Sequence, residues 1–136
     1  MSEIRLEKTR DLYDEYTNSL KEFHRKFDHY VGDSPGFPPQ EVIDLRLKLI
    51  MEEATELVTA CHLGNLELVA DAVADLLYVT FGTAVSFGLP IRRVFAEVHR
   101  SNMTKSMEKD EKSIKGKTLK GDNYVPPNIK ATLWGS

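Results

Sequence analysis

The sequence predicts an all-α protein, and three features of the chain support this prediction. Apolar residues recur at steps of three and four over most of the chain, which is the spacing of amphipathic helices. Glycine, proline and asparagine separate these stretches at positions typical of helix ends and starts. No stretch shows the clear alternation of apolar and polar residues that a half-buried strand requires. We therefore expect a four-helix bundle followed by an extended C-terminal tail.

The first two helices are defined by the loop between them. The first helix carries an apolar stripe and ends near residues 30–32; the stripe consists of Leu12, Tyr16, Leu20, Phe23 and Phe27. The loop from Gly32 to Gln40 contains three prolines and two glycines, which forbid regular structure. The second helix is expected to begin at about Pro39 or Gln40 and to end at His62.

The third helix is unusually apolar. Gly64 can adopt a positive φ after the second helix, and Asn65 can cap the next one. The third helix should run from about Leu66 to Phe87 and is apolar on nearly every side. Such a helix lies at the centre of a domain or is covered by a partner subunit, so we expect a homo-oligomer.

Beyond Gly88, a fourth helix is expected to begin near Pro90 and to reach about Ser106. We expect residues 1–136 to form a single domain, with a core at about 40–106 and a tail at 107–136. The tail is rich in lysine, glycine, aspartate and proline, and Leu133 and Trp134 can pack a terminal turn.

Composition indicates an ordinary globular protein. Hydrophobic residues make up 41% of the chain and charged residues 29%, and no apolar run approaches the roughly 18 residues of a membrane span. The charged N-terminal segment has no signal-peptide core, so a cytoplasmic location is expected. Cys61, the single cysteine, fits a reducing compartment and is interpreted as a core residue.

Carboxylates interrupt the apolar stripe of the second helix. The stripe that includes Leu49 continues to Glu53 and Glu56 at steps of three and four. Glu52 lies beside them and completes an E-E-x-x-E cluster. Because burial of ionised carboxylates without partners is costly, these positions indicate a bound cation.

A second pair of carboxylates follows on the third helix. Asp71 and Asp75 are four residues apart and therefore share one helix face. Counted from the turn at Gly64, Glu53 and Asp75 are both eleven residues away. Glu56 and Asp71 are eight and seven residues away. An antiparallel hairpin would bring these carboxylates to similar depth, and oxygen-only ligands suit Mg²⁺, Mn²⁺ or Ca²⁺.

A di-iron carboxylate bundle would also gather glutamates between helices. Such sites use Glu-x-x-His pairs, and none of the four histidines stands three residues after a glutamate. The sequence therefore favours a redox-inactive hard cation.

Charge is distributed unevenly along the chain. Residues 41–75 contain eight acids and two bases, whereas residues 92–120 contain nine bases and four acids. This division suits a metal–polyphosphate ligand, and the acidic part would repel nucleic acid. Arg100, Asn102 and Lys105 at the end of the fourth helix can contact an anion. Arg100 and Lys105 would also interact favourably with the helix dipole at this C-terminus without any ligand.

Four segments of the chain resemble the all-α nucleoside triphosphate pyrophosphohydrolases, the superfamily of MazG-like and phosphoribosyl-ATP pyrophosphohydrolase-like proteins. Within about residues 46–129, the matching segments are LRLKLIMEEATEL, ADAVADLLYVTFGTAVSFGL, VFAEVHRSNMTK and GKTLKGDNYVPPNI. The family pattern has EExxE on one helix and ExxD on the next. The chain keeps the first motif, but Ala72 occupies the glutamate position of the second. Asp71 precedes Ala72 and shares a helix face with Asp75, so it can replace that glutamate.

The resemblance implies a MazG-type fold and hydrolysis of a nucleoside triphosphate to the monophosphate and pyrophosphate, with Mg²⁺ or Mn²⁺ as cofactor. Metal binding is implied for Glu53, Glu56 and Asp75, and for Asp71 as the replacement. Glu52 is the candidate for accepting the proton of the attacking water. Asn102 and Lys105 resemble the family's residues that contact the phosphates or the sugar, and Arg100 is a further candidate for phosphate binding. Lys117, Lys120 and Tyr124 are expected to act from the tail as a lid, and His24 on the first helix is expected to line the base pocket.

The resemblance favours pyrimidine deoxynucleoside triphosphates as substrates, because the small MazG-like dUTP and dCTP hydrolases are similar. Two other functions remain open: hydrolysis of phosphoribosyl-ATP in histidine biosynthesis, and a non-catalytic helical module that binds a divalent ion or a nucleotide. The expected partners are the triphosphate and further copies of the chain, as a homodimer or a dimer of dimers, without nucleic acid or membrane.

Overall fold

The protein is all-α over the residues that the computed structural model describes, which are 3–106 and 118–135, with side chains from residue 14 onwards. These ranges contain no β-strand, and Ser106 and Leu119 form an isolated antiparallel bridge. The predicted all-α class is confirmed. The helices are α1 (Glu3–Lys26), α2 (Gln40–Leu63), α3 (Leu66–Ser86), α4 (Ile91–Asn102) and α5 (Ile129–Trp134).

The chain divides into two compact units, Met1–Ile91 and Arg92–Ser136, and each is described by itself. The first unit contains α1, α2 and α3, and the second contains nearly all of α4 together with α5. A single domain with a four-helix bundle therefore stays a prediction.

In the first unit, α2 and α3 form a helical hairpin. Gly64 has a φ of 66°, and its N–H donates to the carbonyl oxygens of Ala60 and Cys61. Asn65 accepts a hydrogen bond from the Leu68 N–H at 3.1 Å through its side-chain oxygen. Both predicted roles are confirmed, and together they end α2 and start α3 within two residues.

α1 packs on the central helix α3 mainly through aromatic rings. Tyr16 stacks on Phe81 with ring centroids 5.6 Å apart, and Phe23 meets Tyr78 edge-on at 5.4 Å. The side chain of Leu12, predicted for the same stripe, lies outside the described residues. Among the side chains that the structure describes, the buried apolar residues are Leu20, Ala60, Ala72, Ala84 and Val85.

The segment between α1 and α2 is tied to the end of α3. Gly32 donates its N–H to the Val85 carbonyl at 2.9 Å, and Gly36 donates to the Phe87 carbonyl at 3.0 Å. Asp28 adopts a left-handed conformation with φ of 57°, which turns the chain directly after α1. These contacts fix the turn after α1 against the end of α3.

α3 is apolar enough to change one expectation from the sequence. By length and composition alone, this helix could cross a membrane, and 22% of its apolar window is buried inside the described protein. The expectation that no apolar segment reaches this length holds for uninterrupted runs but is wrong for a window that admits acids. Asp71 and Asp75 lie within this apolar helix, and ionised carboxylates are expensive in a bilayer core.

In the second unit, α4 is shorter than predicted and ends at Asn102 instead of about Ser106. Two side chains near its end bind a distant segment: Ser101 Oγ donates to the Val125 carbonyl at 2.8 Å, and the Val125 N–H donates to Thr104 Oγ1 at 2.8 Å. The chain therefore leaves the helix early to pair with the tail. A terminal helix, α5, follows at the predicted position of the turn, capped by Asn128.

Candidate metal centre

Three carboxylates of the hairpin lie close enough to share a cation. One oxygen each of Glu53, Glu56 and Asp75 lies within 4.8 Å of the others. Glu53 and Glu56 are one helical turn apart on α2, and the hairpin brings Asp75 of α3 opposite them. This is the grouping that the residue count from Gly64 predicts for Glu53 and Asp75.

The electrostatics of this cluster are unfavourable without a cation. Burial, followed by the negative charges of Glu56 and Asp75, raises the pKa of Glu53. Burial, followed by the charge of Asp71, raises the pKa of Asp75. Glu53 and Asp75 are therefore repelled by the neighbouring carboxylates, and both resist ionisation.

One carboxylate oxygen of the cluster lacks a hydrogen-bond partner among the described residues. This atom, Glu53 Oε2, is buried. Buried acceptors are satisfied in the large majority of cases, so an orphaned carboxylate oxygen needs an explanation. A hard divalent cation fits, because it prefers carboxylate oxygens and would satisfy this atom and offset the repulsion.

Asp71 lies beside the cluster and outside the group of three. Its side chain is exposed, and its negative charge contributes to the raised pKa of Asp75. Ala72, at the glutamate position of the family pattern, is buried. Asp71 therefore reaches the neighbourhood of Asp75 from the adjacent position.

Glu52, the predicted proton acceptor, lies next to the cluster but faces solvent. Its carboxylate is 4.0 Å from Lys48 Nζ and about half-exposed. Its negative charge also contributes to the raised pKa of Glu53. Glu52 is thus a neighbour of the cluster that water can reach.

His24 is buried beneath the turn after α1. Its Nδ1 lies 2.9 Å from the Tyr30 carbonyl oxygen, and burial lowers its pKa. The Ser86 hydroxyl donates to the same carbonyl at 3.0 Å. The predicted contact between His24 and a substrate stays a prediction.

The other predicted substrate residues belong to the second unit. Arg100 binds the Glu97 carboxylate and donates to the Pro126 carbonyl at 3.2 Å, so its guanidinium is engaged within this unit. Asn102 is exposed and Lys105 is half-buried. Lys120 lies over the ring of Tyr124, with Nζ 5.3 Å from the centroid. Lys117 lies outside the described residues.

Two features of the first unit were not anticipated from the sequence. Cys61 is exposed, so its interpretation as a core residue is wrong; it lies in the last turn of α2, at the tip of the hairpin. Arg46 is buried, with 4% of its surface exposed. A signal for Arg46 existed, because it stands seven residues before Glu53 and thus on the same face of α2.

Arg46 lines a cavity of about 230 Å³ at the end of the first unit. The cavity lies between the turn after α1, the start of α2 and the end of α3. Its lining residues are Phe27, Asp28, His29, Tyr30, Val42, Leu45, Arg46 and Ser86.

A helical hairpin that gathers carboxylates in an all-α unit is the arrangement of the all-α pyrophosphohydrolases. A family model described as phosphoribosyl-ATP pyrophosphohydrolase matches residues 20–102, and the chain belongs to this family. The match covers all of α2, α3 and α4. Members of the family depend on divalent metal in general, which agrees with the carboxylate cluster.

A relative is found in a giant virus. An uncharacterized protein of Acanthamoeba polyphaga mimivirus is 35% identical to the chain over 92 residues. The similarity covers 55% of the chain and 35% of the viral protein. The chain therefore spans about a third of the length of this relative.

Proposed function

We propose that the protein is a divalent-metal-dependent pyrophosphohydrolase that cleaves nucleoside or deoxynucleoside triphosphates to the monophosphate and pyrophosphate. The observation that carries the proposal is the group formed by Glu53, Glu56 and Asp75, with the unpartnered Glu53 Oε2 inside it. Membership of a pyrophosphohydrolase family supports the reaction class. The enzyme would remove unwanted triphosphates or adjust nucleotide pools.

Glu53, Glu56 and Asp75 would hold Mg²⁺, or Mn²⁺ in its place, and Asp71 would join from its position beside Asp75. Such an ion, when bound, polarises phosphoryl oxygens and lowers the pKa of a bound water. Glu52 would accept the proton of the attacking water, since it adjoins the cluster and is open to solvent.

Substrate contacts are proposed for the candidate residues that the sequence indicates. Asn102, Lys105 and Arg100 would bind the phosphates or the sugar, and Lys117, Lys120 and Tyr124 would act from the tail. His24 would support the base pocket from beneath. The family resemblance also supports a preference for pyrimidine deoxynucleotides.

The protein is proposed to act as a homodimer or a dimer of dimers in the cytoplasm, without nucleic acid. Support for self-association comes from large apolar side chains that the first unit leaves exposed on α2 and α3. These include Leu47, Met51 and Val58 on α2 and Leu66, Val73 and Leu77 on α3.

A second candidate substrate is phosphoribosyl-ATP, which the name of the matching family favours. The chemistry is the same, because its triphosphate chain would be cleaved to a monophosphate and pyrophosphate. Phosphoribosyl-ATP differs from the nucleoside triphosphates by an additional phosphoribosyl group on its base, and direct comparison of turnover separates the two candidates.

The test is incubation of the purified chain with Mg²⁺ and a panel of NTPs, dNTPs and phosphoribosyl-ATP, with chromatographic detection of products. We expect a monophosphate and pyrophosphate in equal amounts, and no products with Glu53→Gln. Glu22→Gln, an exposed position on α1, is the matched control and should retain activity. Release of orthophosphate as the first product would overturn the proposal. Absence of turnover with every triphosphate would instead favour a non-catalytic ion- or nucleotide-binding module.

A further inference from the structure

Arg46 is a buried cation without a carboxylate partner in the described part of the chain. Its Nη2 donates to the Val79 carbonyl at 2.9 Å, and its Nε donates to Thr83 Oγ1 at 3.3 Å. A guanidinium has five N–H donors, and these two neutral acceptors leave most of them unused. Burial lowers the pKa of Arg46. Because a buried charge is costly without a partner, the position calls for an external acceptor.

The protein provides a specific place for this guanidinium. A Cβ on residue 82 would overlap Arg46 Nη2 and would lie 3.0 Å from His24 Nε2, so Gly82 allows both side chains to lie against α3. The Tyr30 carbonyl accepts from His24 Nδ1, and burial lowers the pKa of His24, which favours the neutral ring, with Nε2 facing this region. A neutral histidine beside Arg46 does not repel it. The guanidinium is therefore held in a defined orientation.

The cavity that Arg46 lines has walls suited to a flat ring. Phe27 and Tyr30 contribute aromatic surface, and Val42 and Leu45 contribute apolar surface. Ligand sites of this kind combine apolar walls with a few polar groups that fix orientation. Asp28 also lines the cavity, but it is exposed to water, so its hydrogen bonds discriminate between ligands less than those of the buried Arg46.

The cavity is aligned with the carboxylate cluster. Arg46 precedes Glu53 by seven residues, which places it on the same face of α2 and about 10 Å along the helix axis. Val79 and Thr83, which accept hydrogen bonds from Arg46, follow Asp75 on α3. Because α2 and α3 are antiparallel, Arg46 and these two residues lie on the same side of the carboxylate cluster. This separation matches a nucleotide whose phosphates lie at the carboxylates and whose base enters the cavity.

We propose that Arg46 is the residue that determines base specificity, by donating a hydrogen bond to a carbonyl oxygen of the substrate base. Uracil, thymine, cytosine and guanine each present a carbonyl oxygen, whereas adenine presents only ring nitrogens and an amino group. The site therefore selects bases that carry a carbonyl oxygen and discriminates against adenine. This inference rests on the proposed function, because the position of the base is measured from the carboxylate cluster.

The first test uses the unaltered chain. Values of kcat/KM with Mg²⁺ are measured for dUTP, dTTP, dGTP and dATP, and binding of dUMP and dAMP is measured by equilibrium dialysis. A charged hydrogen bond in a buried site contributes about 1.5–3 kcal/mol, so dATP should be poorer by about tenfold or more. Equal kcat/KM for dATP and the other three substrates would overturn the inference.

The second test uses two variants that disturb the guanidinium in different ways. Arg46→Lys removes the planar donor group, and Gly82→Ala displaces it through the overlap with Nη2. Both should lower kcat/KM for dUTP by about tenfold or more while changing dATP by less than about threefold. The matched controls are Arg25→Lys and Gly36→Ala, at exposed positions away from the cavity. Melting curves verify that each variant is folded.

The outcomes separate this inference from the proposed function. Turnover that falls equally for dUTP and dATP in both folded variants would assign Arg46 a structural role and overturn the inference. Selective binding of dUMP over dAMP that is lost in Arg46→Lys or Gly82→Ala, without turnover of any triphosphate, would refute the proposed function and support Arg46 as the selector. If Arg46→Lys does not fold, Gly82→Ala and the dialysis of the unaltered chain still decide the matter.

Discussion

At the scale of single residues, the first unit holds charges in places that do not favour stability. Glu53 and Asp75 lie among like charges, and Arg46 is buried without a carboxylate partner among the described residues. Removing charged groups from water costs more than isolated contacts return, so such positions are usually maintained by a ligand. The carboxylates and Arg46 lie two helical turns apart on one hairpin. This separation suits a nucleotide whose metal-bound phosphates lie at the carboxylates and whose base lies at Arg46.

Glu53→Gln tests the metal centre directly. The substitution keeps the shape of the side chain and removes one negative charge, so the metal-free protein should keep or raise its melting temperature. Hydrolysis should fall by about 100-fold or more, since several kcal/mol of charge stabilisation corresponds to at least this factor. Thermal melts with EDTA and with Mg²⁺ provide the second measurement. The unaltered chain should gain stability from Mg²⁺, and Glu53→Gln should not; a collapse of the fold in the variant would point to a structural cluster.

The raised pKa values of Glu53 and Asp75 predict how metal-free stability depends on pH. A carboxyl with a raised pKa binds protons more readily in the folded state than in the unfolded state, so it destabilises the fold as the pH rises through that pKa. His24 acts in the opposite sense, because its lowered pKa makes the fold less stable as the pH falls. The difference in melting temperature between Glu53→Gln and the unaltered chain cancels the His24 contribution.

In EDTA, this difference should favour the variant and grow as the pH rises above the ordinary carboxyl range of about 4. With Mg²⁺ at neutral pH, the difference in melting temperature should favour the unaltered chain, because the ion stabilises only the protein that keeps all three carboxylates. A difference that stays constant from acid to neutral pH would show that Glu53 titrates normally.

The carboxylates could be predicted from the sequence, whereas the cavity could not. Glu53 and Asp75 are equidistant from Gly64, and a hairpin with that turn has only one register. The position of Arg46 depends on the missing side chain of Gly82 and on the turn at Asp28, which come from other parts of the chain. The periodicity of α2 indicates on which face of the helix a residue lies, but it does not indicate where the packing of neighbouring segments leaves a cavity.

At the scale of elements, the α2–α3 hairpin determines the geometry of the site. Its turn uses local signals, Gly64 and Asn65, and both were predictable. The end of α4 uses distant partners, because Ser101 and Thr104 bind Val125 of the tail. No local pattern encodes that pairing, which explains why the sequence predicted a longer helix.

Gly64→Ala tests the turn of the hairpin. No atom lies within 4 Å of a Cβ built on Gly64, so the cost would come from the left-handed backbone alone. We expect the free energy of unfolding to fall by about 1 kcal/mol. Chemical denaturation measures this change, and Gly36→Ala, which has neither a positive φ nor a close neighbour, should stay near the value of the unaltered chain. A Gly64→Ala variant as stable as that control would contradict the proposed role of the turn.

At the scale of the whole molecule, the distribution of apolar surface is the main feature. On α2, Leu47, Met51 and Val58 fall on one stripe that faces away from Glu53 and Glu56, given 100° per residue. On α3, a similar stripe consists of Leu66, Val73 and Leu77, away from Asp75. Extended exposed apolar surface of this kind marks an interaction site. Each helix of the hairpin therefore directs carboxylates to one side and apolar side chains to the other.

The apolar stripes predict the behaviour of the protein in solution. We expect light scattering coupled to size exclusion to give the mass of a dimer or a tetramer of the 15.4 kDa chain. Met51 is 70% exposed in the single chain, so Met51→Lys should cost little in the fold and should lower the mass towards one chain, as should Leu77→Lys. Asn18→Lys on α1 changes the charge equally at an exposed polar position and should leave the mass unchanged. A mass of one chain for the unaltered protein at micromolar concentration would show that these stripes do not mediate self-association.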